Sequence, residues 1–226
     1  MYNTAAVEVE LMYVLAVNGS PRKHGTTSIL LKKALEGAAS QGAETEFVQL
    51  NSLSMKGCQA CFSCKKRGGR SYGKCILKDD MTPLYKKLEQ ADAFFVGSPI
   101  YFGTITASTK MFIERLYPYL NYGNYSTNFP QKINTGFVYT MGADDEQVKM
   151  FDQIIQFNQM IFSFLFGSSE TLLSTDTFHV KDYSKIVADV LEASSDRKRK
   201  HQQEVFPSDC QKAFEMGSRF VKEGRK

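Results

Sequence analysis

Cys58, Cys61, Cys64 and Cys75 are spaced C-x2-C-x2-C-x10-C. Three thiolates on a short loop can wrap one edge of a four-iron, four-sulfur (4Fe-4S) cluster while a more distant fourth closes it. Four thiolates also suit tetrahedral zinc, although zinc sites more often pair two C-x2-C units. Free or redox-active thiols are the third reading, and disulfides are disfavoured in a reducing compartment. Cys210 stands apart and reads as a packed thiol. A different chemistry is suggested by Asn18-Gly19-Ser20-Pro21-Arg22-Lys23-His24-Gly25-Thr26-Thr27-Ser28, which follows the apolar run Val14-Leu15-Ala16-Val17 and opens a helix. A helix N-terminus leaves N–H groups unpaired and carries the positive end of the helix dipole. The hydroxyls of Ser20, Thr26, Thr27 and Ser28, with the Arg22 guanidinium, can therefore surround a phosphate. The spacing matches neither G-x-G-x-x-G nor G-x-x-x-x-G-K-[ST], which favours a monophosphate. An ordinary turn into a capped helix is the competing reading.

A second loop, Gly97-Ser98-Pro99-Ile100-Tyr101-Phe102-Gly103-Thr104, leaves the apolar run Ala93-Phe94-Phe95-Val96. Pro99 stiffens the exit, Gly103 permits close backbone approach, and Tyr101 and Phe102 offer flat apolar surface. Pro99, Ile100, Tyr101, Phe102, Gly103 and Thr104 are therefore expected to line an isoalloxazine ring, unless these aromatics fill the core or an interface. Thr140, Met141 and Gly142, after the run Thr135-Gly136-Phe137-Val138-Tyr139, can add backbone hydrogen bonds to the ring's polar edge. A flavin carries hydride chemistry itself, and N–H groups near N1 stabilise the charge built on reduction. No catalytic side chain is therefore assigned. His24, His179 and His201 are scattered, and His179 and His201 are read as surface or structural residues.

Positioning these loops takes alternating strands and helices. Apolar runs predict strands over 11–17, 44–50, 92–98, 132–140 and 168–175, and helical spacing predicts helices over 27–41, 81–89, 105–116, 146–162, 183–194 and 208–222. Such alternation favours an α/β fold with a doubly wound parallel sheet, whose ligand crevice lies beyond the carboxyl ends of the strands. The 226 residues suit one domain over 1–226, with a Cys-rich insertion at about 51–79 and a helical C-terminal extension at about 182–226. The formal charge of +4 is modest, and the runs Lys65-Lys66-Arg67 and Arg197-Lys198-Arg199-Lys200 read as solvated faces, so an anionic small molecule is a better partner than nucleic acid. No apolar stretch reaches the length of a membrane span and no secretory pattern opens the chain, from which a cytoplasmic location is expected.

Together these segments resemble the NADPH-dependent FMN reductase and iron-sulfur flavoprotein family, within the flavodoxin-like group. Residues 18–27 look like its phosphate loop. Residues 97–103, followed by Lys110-Met111-Phe112-Ile113-Glu114-Arg115, look like its ring loop and next helix. Thr26 stands where many relatives carry Asn, a polar change that still permits phosphate contacts. The resemblance, which covers about residues 12–143, implies a flavodoxin-like three-layer sandwich with a five-stranded parallel sheet, bound FMN and NAD(P)H as electron donor. It also implies a flavin, quinone, other small-molecule or protein acceptor, and homodimers or homotetramers that complete the flavin site. The cysteine run is similar to the compact motif of iron-sulfur flavoproteins with a longer last interval. It implies a 4Fe-4S cluster, while zinc and free thiols stay open. Two other functions compete: an FMN electron carrier without a productive nicotinamide site, and a cofactor-free regulatory or metal-binding module.

Overall fold

The five predicted strand segments become the parallel strands of one sheet: β1 (Tyr13–Asn18), β2 (Glu44–Gln49), β3 (Ala93–Tyr101), β4 (Ile133–Thr140) and β5 (Gly167–Ser174). Their order is β2-β1-β3-β4-β5, with every neighbouring pair parallel. The computed structural model describes residues 11–180 and 182–224. Strand periodicity divides the core into two layers. Val14 and Ala16 face α1 (Thr26–Ala39) and α6 (Phe206–Glu223), joined there by Phe95, Val138 and Leu172. Leu15 and Val17 face the opposite way, with Phe94, Val96, Phe137 and Tyr139, toward α2 (Met81–Gln90), α3 (Ala107–Arg115) and α4 (Asp152–Phe166). Helices on both faces bury the sheet twice, which is why β1, β3 and β4 read as continuous apolar runs. The result is the expected flavodoxin-like three-layer arrangement. Among the described residues, no helix is long and apolar enough to cross a membrane.

The strands fall within two residues of their predicted bounds at most ends, and the helices show where local chemistry intervenes. The third begins at Ala107 because Thr106 caps it, its hydroxyl oxygen accepting the Thr109 N–H. Residues 147–151 form a 3-10 turn before α4 starts at Asp152. The helix predicted over 183–194 reduces to a 3-10 turn at Tyr183–Lys185 and a single turn at Asp189–Glu192. Ile186 and Val187 between them are exposed, so no apolar partner rewards a longer amphipathic helix there. The run Arg197-Lys198-Arg199-Lys200, read as a solvated face, lies on the helix α5 (Ser195–Glu204). Asp196–Arg199 and Lys200–Glu204 pairs support it on its exposed side, while Lys198 is only 1% exposed.

Candidate functional site

The order of the sheet reverses beside β1 and β3, where Asn18 lies opposite Gly97, and Pro99 of β3 lies opposite Thr140 of β4. The loops leaving these strands therefore share one edge. They open on a single cleft. The first loop and the start of α1 contribute Ser20, Arg22, Thr26 and Thr27, the second Pro99, Ile100 and Tyr101, and the third Thr140, Met141 and Gly142.

At one end the first loop is shaped by short-range bonds. Asn18 Oδ1 accepts the Ser20 N–H at 3.1 Å, and Ser20 Oγ accepts the Arg22 N–H at 3.2 Å. The cap position is Gly25, without a side-chain cap, and Ile29 donates the first helical bond, to the Gly25 carbonyl at 3.1 Å. The first-turn amides of Thr26, Thr27 and Ser28 thus have no helical acceptor and face the loop as anion donors. Thr27 and Thr140 hydroxyls share a 2.7 Å hydrogen bond that ties α1 to β4. Ser28 is the exception among the predicted hydroxyls. It is buried and donates to the Lys23 carbonyl at 2.8 Å, closing the loop instead of lining the cleft.

At the other end, Ser98 Oγ accepts the Thr106 N–H at 3.0 Å and the Thr106 hydroxyl donates to the Gly19 carbonyl at 2.7 Å, locking the first two loops together. Beyond Tyr101 the chain folds back on itself. Tyr101 pairs with Thr104, and Phe102 and Gly103 form the tip with φ of 48° and 78°. Phe102, Gly103 and Thr104 consequently stand on an exposed hairpin and do not line the cleft with Tyr101. The positive φ at Gly103 belongs to the tip of that tight turn.

A fourth segment was not anticipated. Thr177, Phe178 and His179, just after β5, also line the cleft; the only sequence signal was their position beyond a strand's carboxyl end. His179, read earlier as structural or surface, is therefore corrected to a cleft residue. Its ring packs directly on Gly142, where an added Cβ would overlap it. Its Nδ1 lies 3.2 Å from the Tyr183 hydroxyl. Desolvation, followed by the charges of Lys198 and Arg22, holds its imidazole pKa below the ordinary value.

Cys58, Cys61, Cys64 and Cys75 line a separate pocket with Phe62, Ile76, Leu77, Arg115 and Tyr117. All are free thiols, Cys58 and Cys61 exposed and the other two half-buried. Burial pushes the Cys64 thiol pKa up, whereas hydrogen bonds to Ser63 pull Cys61 down. Lys65, assigned from composition to a solvated run, instead donates to the carbonyls of Tyr117 (2.6 Å), Pro118 and Leu120, so the cysteine loop is pinned to the 117–131 connection. Among the described residues no three Cys, His, Asp or Glu side chains converge closely enough to hold a metal ion. The four thiols share a pocket without forming a closed cage.

The family described as NADPH-dependent FMN reductase matches residues 12–162. An iron-sulfur flavoprotein of Methanocaldococcus jannaschii is 39% identical over 107 residues, 47% of this chain and 53% of that protein. The chain spans about half the length of the iron-sulfur flavoproteins it matches. A putative NAD(P)H-dependent FMN-containing oxidoreductase of Bacillus subtilis is 25% identical over 156 residues, 68% of this chain and 79% of that protein. Among solved structures, an NAD(P)H:quinone oxidoreductase from Methanothermobacter marburgensis superposes with a TM-score of 0.65 at 15% identity, over 92% of this chain and 96% of that one. At that identity the likeness shows the fold alone.

Proposed function

The chain belongs to the NADPH-dependent FMN reductase family, and on that premise we propose that it is an FMN-dependent oxidoreductase that draws electrons from NADH or NADPH and delivers them to a flavin, quinone or other acceptor. One observation carries the proposal: a single cleft pairs a phosphate-type donor set with a flat apolar wall. The Thr26–Ser28 amides, the Ser20, Thr26 and Thr27 hydroxyls and Arg22 suit the phosphate. Pro99, Ile100 and Tyr101 suit one face of the ring, excluding water from it, and the Gly142 loop suits its polar edge. Bound FMN supplies the hydride and single-electron chemistry.

FMN titration followed by anaerobic mixing with NADPH tests this proposal. Tight binding and rapid, saturable bleaching support the reductase, protein that takes up no FMN overturns it, and bleaching by a protein donor alone supports the carrier. Arg22 is the loop cation that lines the cleft, so Arg22→Ala should weaken FMN binding about tenfold, the low end for a hydrogen bond to a charged group. Unchanged affinity in a flavin-fluorescence titration would remove Arg22 from the phosphate site.

The shared thiol pocket favours a second centre at Cys58, Cys61, Cys64 and Cys75. A 4Fe-4S cluster is the first candidate and zinc the second; both need the exposed Cys58 and Cys61 to turn inward. Iron and zinc analysis of anaerobically purified protein decides between cluster, zinc and free thiols. We further propose a cytoplasmic homodimer or homotetramer, supported by the exposed Phe157, Met160 and Phe164 on α4.

A further inference from the structure

We infer that Lys198, on helix α5 beyond the matched segment, is a positioning residue for the flavin ring. It holds the Gly142 carbonyl so that the N–H groups of Gly142 and Ala143 are left for the ring's polar edge. This rests on the FMN reading of the cleft.

The observations are local and complete. The Lys198 ammonium, only 1% exposed, donates to the Gly142 carbonyl at 2.7 Å and to Asp176 Oδ1 at 2.7 Å. The same carboxylate oxygen accepts from Arg197 at 3.0 Å, and Arg197 reaches Asp144 at 2.9 Å. The carbonyls on either side of this clamp, those of Met141 and Ala143, are engaged by residues that follow β5. The Thr177 N–H donates to the Met141 carbonyl at 2.9 Å, and the Asp176 N–H to the Ala143 carbonyl at 2.7 Å. Met141 spends its own N–H on the Ser174 carbonyl at 3.0 Å. Among the described residues, the N–H groups of Gly142 and Ala143 bond to nothing in the chain.

In a trans peptide the carbonyl and the following N–H point in opposite directions. A Gly142 carbonyl held by Lys198 therefore turns the Ala143 N–H away from α5. Burying an ammonium is costly unless it is paired and hydrogen-bonded, and here it is both. A purely structural pair would satisfy the same cost, but it would not account for two adjacent uncommitted N–H groups, at Gly142, which lines the cleft, and at Ala143, which follows it.

The test uses the full chain. Lys198→Met with Asp176→Asn removes both charges, so no buried carboxylate is stranded. With the fold retained by circular dichroism, oxidised FMN should bind about tenfold more weakly. Reduced FMN should lose more, because the donors serve the charge that reduction builds, so the flavin midpoint potential should fall. Lys198→Arg, which keeps the cation and its donors, should recover most of the affinity. Wild-type affinity and potential in the folded double variant would overturn the inference. If that variant does not fold, amide exchange on the wild type decides. FMN should slow exchange at Gly142 and Ala143, and protection confined to Thr26–Ser28 would also overturn the inference. Wild-type protein without FMN affinity defeats the flavin reading itself, a separable outcome.

Discussion

Arg115→Met should lower the unfolding free energy by about 3–5 kcal/mol, the usual cost of removing one partner of a buried ion pair. Arg115 is 1% exposed and grips Asp79 with two bonds, of 2.6 and 3.1 Å, while a third reaches the Lys56 carbonyl at 2.8 Å. Asp79 is itself largely buried and also accepts the Lys56 and Met81 N–H groups, each at 3.1 Å. This junction joins the C-terminal end of α3 to the entry of α2 and closes the long cysteine-bearing connection.

Methionine fills much of the same volume but strands the Asp79 carboxylate, so the loss is electrostatic rather than a cavity effect. The pH dependence follows from the same bonds. Burial alone would push the Asp79 pKa up, but Arg115 and the two amides more than offset it, and the folded value lies below the ordinary one. Its stabilising contribution is therefore full above the unfolded pKa and is lost as pH falls through the folded pKa. Urea unfolding between neutral and strongly acidic pH should show that loss in the wild type and a flatter acid limb in Arg115→Met. Alkylation of the half-buried Cys64 and Cys75 should also accelerate toward the exposed Cys58 and Cys61. Wild-type stability with unchanged thiol rates would show that the pair does not hold the connection.

The sheet was legible in the sequence because parallel strands covered on both faces must be apolar throughout, and β1, β3 and β4 announce themselves that way. Once the strands are located, the loops at their carboxyl ends must share an edge, so Ser20, Thr27, Pro99, Tyr101 and Met141 could be brought together by topology alone. Phe102 and Gly103 could not be placed, since a ring wall and a two-residue turn demand the same residue types. Burial of Lys198 was equally hidden. Its neighbours in sequence are charged, and the groups that satisfy it, Asp176 and the Gly142 carbonyl, are 22 and 56 residues away. The cysteine spacing was plain, but the pinning of its loop was not, since Lys65 finds its carbonyls more than fifty residues later. Long-range polar partners leave no periodic trace, and they decide the fate of charged runs.

Gly37→Val and Gly217→Val should each destabilise the fold by at least about 3 kcal/mol, the upper end for overpacking a close contact. Helix propensity argues the opposite way for any side chain, since glycine inside a helix costs up to about 1 kcal/mol relative to alanine. Sterics wins here because of what a Cβ would meet. On Gly37 it would overlap the Phe214 carbonyl oxygen, and on Gly217 the Ala34 carbonyl oxygen, so both collisions are with backbone and no rotamer change relieves them. The two glycines are the reciprocal contact that lets α1 and α6 cross backbone to backbone. Forcing them apart also opens the Phe95–Phe220 stack, whose rings lie 5.2 Å apart and nearly parallel. The amino end of α1, at the opposite end from Gly37, stays tied to β4 by the Thr27–Thr140 bond. Thermal unfolding of either variant should therefore shift far more than FMN affinity measured below the transition. If affinity fell in step with stability, α6 would be supporting the loop at 18–28 directly, and the helices after β5 would govern both ends of the cleft.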